Sequence, residues 1–251
     1  MRLLLSISIA AGFALSSLGV SLADEKQPGS PQTTVSPSGA ESSAKVLLYV
    51  PPRKGAPAPG SKRGGGTRGM NKSVPVISVL APDHVGWTLQ AQPVLFWFAS
   101  TEQNLPYEFV LIAENAEAPV VEARLPQPAS PGIQQIRLSD YQVTLSSGER
   151  YHWSVELVLD PEEPSGNIVA KGIIERVNRD KLELPLPSVM ANADAPRCFA
   201  QSGVWYDAMA AIADLIQSNQ TEAEFLRQRA SLLEQGGLGE IAARMQASSA
   251  Q

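Results

Sequence analysis

Few side chains in this sequence have the types and spacing that acid–base or nucleophilic chemistry requires. Its two histidines are His84, which directly follows Asp83, and His152. An Asp-His pair can act as a general base, but this pair follows Ala-Pro and has the composition of a turn. No Gly-x-Ser-x-Gly segment presents a serine nucleophile. A Ser-His-Asp triad built from distant residues stays open, and we assign no catalytic residue.

The sequence also lacks the motifs that are typical of metal and cofactor sites. Cys198 is a single cysteine, so it can form no intrachain disulfide, and the sequence contains no His-x-x-x-His pair. The glycine-rich run at 64–69 lacks the Gly-Lys-Ser/Thr that opens the helix of a phosphate-binding loop. We therefore expect neither a metal ion nor a bound cofactor.

Basic side chains are concentrated in one Gly- and Pro-rich arm, residues 51–72, which contains no acidic residue. Residues 73–251 contain 11 basic and 22 acidic residues. Either the arm packs near its own acidic body, or it binds an external polyanion. The candidate polyanion-binding residues are Arg53, Lys54, Lys62, Arg63, Arg68 and Lys72. Because no aromatic residues are interleaved with them, we do not expect nucleic acid as the partner.

The first 23 residues have the pattern of a secretory signal peptide. Arg2 precedes an apolar run, and Ser21 and Ala23 supply the small residues of a cleavage site. We expect cleavage near Ala23 and a periplasmic or secreted chain; an uncleaved membrane anchor is the alternative. No later apolar stretch is long enough to span a bilayer, so we expect no integral membrane span after cleavage. Residues 24–72 then comprise a disordered leader and the basic arm.

The pattern of residues 73–180 is that of short strands separated by turns. Residues 150–159 alternate between polar and apolar, which places Tyr151, Trp153 and Val155 on one face. About seven such segments without intervening helices predict an antiparallel β-sandwich of the fibronectin type III or immunoglobulin kind. The predicted segments are 74–80, 93–99, 107–113, 119–125, 133–138, 150–159 and 168–177.

Residues 181–247 are predicted to form an α-helical tail of two to three helices, which makes the fold β-rich with a helical C-terminal end. A helical pattern begins at Ala193, and the helices are expected over 203–217, from Thr221 to Gly236-Gly237, and over Leu238–Met245. A single helix pair cannot bury its own apolar face, so it must dock on the sandwich or on a partner.

Trp205 and Tyr206, near the start of the first of these predicted helices, are the candidate partner-binding residues. Docking of the helix onto the sandwich is the alternative role for both. Consecutive helical residues point in different directions. We therefore expect at least one of Trp205, Tyr206 and Asp207 to face inward and another to face outward.

Several segments together resemble the bacterial domain of unknown function family 928, over roughly residues 46–245. The most specific are Gly65-Gly66-Thr67-Arg68-Gly69 and Gly203-Val204-Trp205-Tyr206-Asp207-Ala208. The middle region also resembles a fibronectin type III domain through Leu95-x-Trp97 and Tyr151-x-Trp153. The family resemblance implies an exported bacterial protein and no particular activity.

The leading hypothesis is an exported, non-catalytic binding or scaffold protein of the bacterial envelope, whose partner is another envelope protein or polymer. It rests on the missing catalytic motifs and on an architecture common in exported binding modules, and the second ground is an analogy. The alternatives are a hydrolase acting on an envelope polymer and a polyanion binder that uses the basic arm.

Overall fold

The computed structural model describes residues 47–53, 63–64, 75–102, 104–128, 130–218 and 222–248. The side chains of 63, 64, 222 and 248 are outside this description. The predicted signal peptide at 1–23, the leader at 24–45 and most of the basic arm therefore lie outside the described residues.

Nine strands are present in the described residues, and each of the seven predicted segments overlaps one of them. Two were not predicted, the two-residue strand in the arm and the three-residue strand Gly86–Thr88. In chain order the strands are β1 (Arg63–Gly64), β2 (Ile77–Val79), β3 (Gly86–Thr88), β4 (Val94–Ala99), β5 (Tyr107–Ala113), β6 (Val121–Leu125), β7 (Gly132–Arg137), β8 (Arg150–Leu157) and β9 (Ile168–Arg176).

The strands form two sheets. The first has three main strands in the order β2-β4-β7, with β1 added at the edge of β2. The second has the order β3-β9-β8-β5-β6. All pairs are antiparallel except β3–β9, in which Trp87 lies opposite Glu175. The structure thus confirms a β-rich middle region with two mostly antiparallel sheets.

Alternation along the strands of the second sheet directs large side chains into one core. In β8 every second residue is buried, including Trp153 at 1% exposure, and β5 follows the same pattern. Trp97 of the first sheet contacts Tyr107 of the second, with ring centroids 4.9 Å apart. The two sheets therefore pack against each other through aromatic rings, whose large apolar area dominates such cores.

Four helices follow the sheets in the described residues: α1 (Ala195–Gln201), α2 (Trp205–Gln217), α3 (Glu222–Gln235) and α4 (Gly239–Ser248). The sequence predicted two to three, and α1 is a separate short helix within the stretch read as helical from Ala193 onward. Gly236 and Gly237 end α3 as expected, because Gly237 adopts a φ of +76° and Leu238 N–H donates to Leu233 O at 2.8 Å. No helix in the described ranges has both the length and the apolar character that a bilayer crossing requires.

An extended segment, residues 47–52, connects the helices to one another; we call it the strap. Tyr49 N–H donates to Gln235 Oε1 at 2.8 Å, and Gln235 Nε2 donates to Leu47 O at 3.0 Å. On the other side, Val50 N–H donates to Ala200 O at 3.1 Å. The strap therefore bonds to α3 along one stretch and to α1 along the next.

The strap buries only one of its two faces. Leu47 and Tyr49 are 1% and 4% exposed, whereas Leu48 and Val50 between and after them are 55% and 44% exposed. This alternation is that of a strand with one face on a core, and it contributes two large side chains to the helical layer.

We predict that Leu47→Ala lowers the free energy of unfolding by about 2–5 kcal/mol, because it leaves a cavity where a buried side chain was. Leu48→Ala is the matched control, and its exposed side chain is expected to change stability by no more than about 0.5 kcal/mol. Chemical denaturation of the two variants measures both values. Equal losses would contradict burial of the strap against the helices.

Candidate functional site

The first turn of α2 is fixed to the sheets by two aromatic residues. Trp205 Nε1 donates to Leu80 O at 2.8 Å. Tyr206 OH donates to Ile173 O at 3.0 Å and accepts a hydrogen bond from Trp153 Nε1 at 2.9 Å. Because Leu80 follows β2 and Ile173 lies in β9, the helix is bonded to both sheets through side chains.

Trp205 and Tyr206 are buried at 0% and 1% exposure, which corrects two expectations. Neither side chain is available on the surface for a partner, so docking of the helix explains both residues. The expectation that one of three consecutive residues faces outward is also wrong, since Asp207 is only 4% exposed. The reason is that this turn is enclosed on several sides: by the strap through Tyr49, by the end of α3 at Gly236, and by strand β3.

Asp207 is a buried carboxylate held by three neutral donors. Its Oδ2 accepts from Thr88 Oγ1 at 2.7 Å and from Leu89 N–H at 3.2 Å, and its Oδ1 accepts from Gln90 Nε2 at 3.3 Å. Burial raises its pKa above the ordinary value, and these hydrogen bonds offset part of that shift. We call Trp205, Tyr206 and Asp207 the helix lock, because each bonds α2 to the sheets.

His84 lies beside the strap and belongs to a structural contact. Its Nε2 and the Tyr49 hydroxyl are 2.7 Å apart, and the two rings stack with centroids 5.7 Å apart. Burial, with a further contribution from Tyr206, raises the pKa of Tyr49 above its ordinary value. The carboxylate of Asp83, the neighbouring residue, lies against Gly237 at the end of α3. The Asp83-His84 segment thus contacts the strap and the turn between α3 and α4.

A second buried carboxylate, that of Glu175, has charged partners, whereas Asp207 has neutral ones. It is 4% exposed and forms ion pairs with Arg150, at 3.4 Å, and with Lys181. The Lys181 ammonium also lies 4.9 Å from the centre of the Trp87 ring. Two cations therefore compensate this charge at the open edge of the β3–β9 pair.

Of the six candidate polyanion-binding side chains, the structure describes only that of Arg53. It pairs with Glu183 at 3.3 Å, and both side chains are largely exposed, so the pair adds little stability. The backbone of Arg63 pairs with Ser78 in the first sheet. Lys54, Lys62, Arg68 and Lys72 lie outside the described residues, so polyanion binding by the arm stays a prediction.

An open groove of about 240 Å³ lies between α3 and α4; we call it the α3–α4 groove. Arg227, Arg229 and Gln246 supply its polar atoms. Its apolar lining consists of Leu226, Ala230, Leu233, Ala242 and Met245. The arginines were not singled out from the sequence. The available signal was the spacing of Arg229, three residues after Leu226 and four before Leu233, which places a cation on the apolar side of a helix.

In the described part of the chain, no group of three or more His, Cys, Asp and Glu side chains could hold a metal ion.

Comparison with known proteins gives one family and one distant structure. A family model described as Domain of Unknown Function (DUF928) matches residues 63–245. No curated protein matches the chain. Among solved structures, the crystal structure of an engineered protein from the Northeast Structural Genomics Consortium is similar at 9% sequence identity and a TM-score of 0.29. That similarity covers 42% of this chain and 21% of the engineered protein, so the chain spans about a fifth of its length.

We predict that Asp207→Ala lowers the free energy of unfolding by about 1–3 kcal/mol, because the donors of Thr88, Leu89 and Gln90 lose their buried acceptor. Asp207→Asn is the matched control, since its carbonyl oxygen can still accept and it removes the charge. Because burial raises the pKa of folded Asp207, the folded state binds the proton more tightly than the unfolded state does.

The stability of the wild-type chain relative to Asp207→Asn is therefore expected to rise as the pH falls through the folded-state pKa of Asp207. The gain is complete below the unfolded value of about 3.9 and is lost as the pH rises. Urea denaturation at a series of pH values measures this difference. A difference that shrinks on acidification would contradict the pKa direction.

We also predict that Gly236→Ala destabilises the chain by about 1–3 kcal/mol or more through overpacking. A Cβ at Gly236 would overlap with the ring of Trp205. Gly239→Ala is the control, because the nearest atom would be 3.9 Å away and alanine favours a helix. Thermal unfolding of both variants compares them, and equal melting temperatures would show that Trp205 can move aside at no cost.

Proposed function

Since the chain belongs to the Domain of Unknown Function (DUF928) family, whose description assigns no activity, we propose its function from geometry and sequence. We propose that it is an exported, non-catalytic binding or scaffold protein of the bacterial envelope. Its partner is another envelope protein, and its binding surface is the α3–α4 groove. Export to the periplasm or beyond is part of the proposal and rests on the sequence of residues 1–23.

The observation that carries the proposal is the α3–α4 groove itself. Leu226 and Ala230 are half-buried and leave apolar surface open to a partner, and Arg229 lies beside them. An apolar groove between two helices is one of the surfaces to which helices of other proteins bind. Such a surface suits binding rather than chemistry, because none of the described residues that line the groove is a nucleophile or a carboxylate.

The attachment of the helices supports the same function. The helix lock fixes α2, and the strap fixes α3 to α1 through Gln235 and Ala200. A groove between helices held in place loses little conformational entropy when a partner binds, which favours affinity. A scaffold role requires this kind of preformed surface.

We extend the proposal to the kind of sandwich that carries the helices, which we take to be immunoglobulin- or fibronectin type III-like. Two features support it: the edge strand β3 runs parallel to the last strand β9, and the Tyr151 hydroxyl accepts a hydrogen bond from Ser146 N–H at 3.0 Å. A tyrosine at the start of such a strand that bonds back to the preceding backbone is a hallmark of these sandwiches. The type of sandwich does not by itself specify a partner.

The test is site-specific crosslinking in the cell envelope of the organism that encodes the chain. A photo-crosslinking amino acid at Gln246, an exposed residue at the rim of the groove, is expected to give a discrete covalent adduct with an envelope protein. Excess unlabelled chain is expected to compete the adduct away. The same amino acid at Lys171, an exposed residue of β9, is the control. No adduct from position 246 above the level at 171 would contradict the proposed function.

A further inference from the structure

Arg229 is a charged side chain that the fold partly buries without neutralising. It lines the α3–α4 groove and also a second cavity of about 210 Å³ against the first sheet, beside Phe96, Ile133 and Met209. Among the described residues, no hydrogen bond or ion pair reaches its guanidinium. Burial lowers its pKa from the ordinary value.

Among the described residues, the two buried carboxylates have partners. Glu175 has two cations, and Asp207 accepts three hydrogen bonds. A cation that keeps only part of its contact with water is stabilised when an opposite charge pairs with it. The half-buried guanidinium of Arg229 therefore marks a place where an anionic group fits.

The size of the α3–α4 groove favours side chains over a small molecule. Sites for drug-sized ligands measure about 300–1,000 Å³, and this groove measures about 240 Å³. Leu226, Ala230 and Leu233 follow one another at helical spacing i, i+4 and i+7. With a rise of about 1.5 Å per residue, this stripe is about 10 Å long, or two turns of a helix laid along it.

The shape of the stripe favours a helix as the occupant. Its centre consists of small residues, Ala230 on α3 and Ala242 on α4, so another helix can approach closely. Amphipathic helices bind such grooves through apolar residues at matching spacing. In the complex, the bound helix covers the apolar face that α3 and α4 cannot bury between themselves.

The charges of the groove specify the polar side of that helix. Arg227 lies at the rim and Arg229 inside, and none of the described residues that line the groove is acidic. An arginine can bind a carboxylate through two parallel hydrogen bonds, which are among the strong ones in proteins. An acidic helix is complementary to this groove, and a basic helix is repelled.

We propose that the α3–α4 groove binds an amphipathic helix of a partner protein, with apolar side chains on Leu226, Ala230 and Met245 and a carboxylate paired with Arg229. This inference rests on the proposed binding function and names the chemistry of its partner.

The probe is a display library of 14-residue amphipathic helical peptides with randomised polar positions, selected on the purified chain at low salt. Selected peptides are expected to carry Asp or Glu at a common position. Arg229→Met is expected to weaken their binding at least tenfold. Arg244→Met is the matched control, since Arg244 is on the same helix pair outside the groove and pairs with Glu240 at 3.2 Å; it is expected to change binding less than twofold.

The melting temperature of Arg229→Met separates binding from structure. Because methionine replaces a partly buried charge that has no described partner, we expect this variant to melt at the same temperature as wild type or higher. A lower melting temperature would give Arg229 a structural role and overturn the inference.

Other outcomes overturn it as well: no selected peptide, selected peptides without a common acidic position, or equal binding to Arg229→Met and wild type. A dimer of the chain that Arg229→Met dissociates would make the occupant a second copy and would also overturn the inference. In each of these cases, an adduct from position 246 in the envelope would leave the proposed function standing with a different occupant.

Discussion

The helix lock is the interaction on which the rest of the structure depends. The helices cannot bury their apolar faces among themselves, so they need a fixed point on the sheets. Trp205 and Tyr206 supply it by donating to backbone carbonyls at Leu80 and Ile173, one beside each sheet. Inside a core, a donor without an acceptor costs about 1–3 kcal/mol. Displacing α2 would therefore leave several polar groups unpaired at once, and the fold has one position for this helix.

The strap extends this constraint to the remaining helices. Its backbone bonds to Gln235 of α3 and to Ala200 of α1, while Tyr49 packs edge-on against Trp205 at 5.1 Å between ring centroids. Residues at the beginning of the described chain thus hold together residues near its end. This long-range connection explains how a helical layer of short elements stays ordered without a core of its own.

The strands could be predicted from the sequence because their signal is local. Alternation in 107–113 and 150–157 specifies both the strand and its buried face. Strand β3 was missed because three residues carry no period, and its extended state comes from parallel pairing with β9, far along the chain. The family resemblance singled out the segment Gly203-Val204-Trp205-Tyr206-Asp207-Ala208, but it did not show what these residues contact. A helical pattern read from the sequence assumes that a helix is buried along one face only, whereas the strap, β3 and α3 enclose this turn from several directions.

The candidate site was beyond sequence reasoning for a related reason. Whether Arg229 has a partner depends on which side chains surround it, and a sequence cannot show that. The fold explains why the open surface lies there: Phe225 and Leu232 of α3 are buried in the core, while Leu226 and Ala230 face α4 and stay half-exposed. Helix α4 has only ten residues and places Ala242, a small side chain, over this stripe. Half-exposed apolar side chains and an arginine with no partner among the described residues therefore lie together between α3 and α4, and this is the surface to which the proposed partner adds.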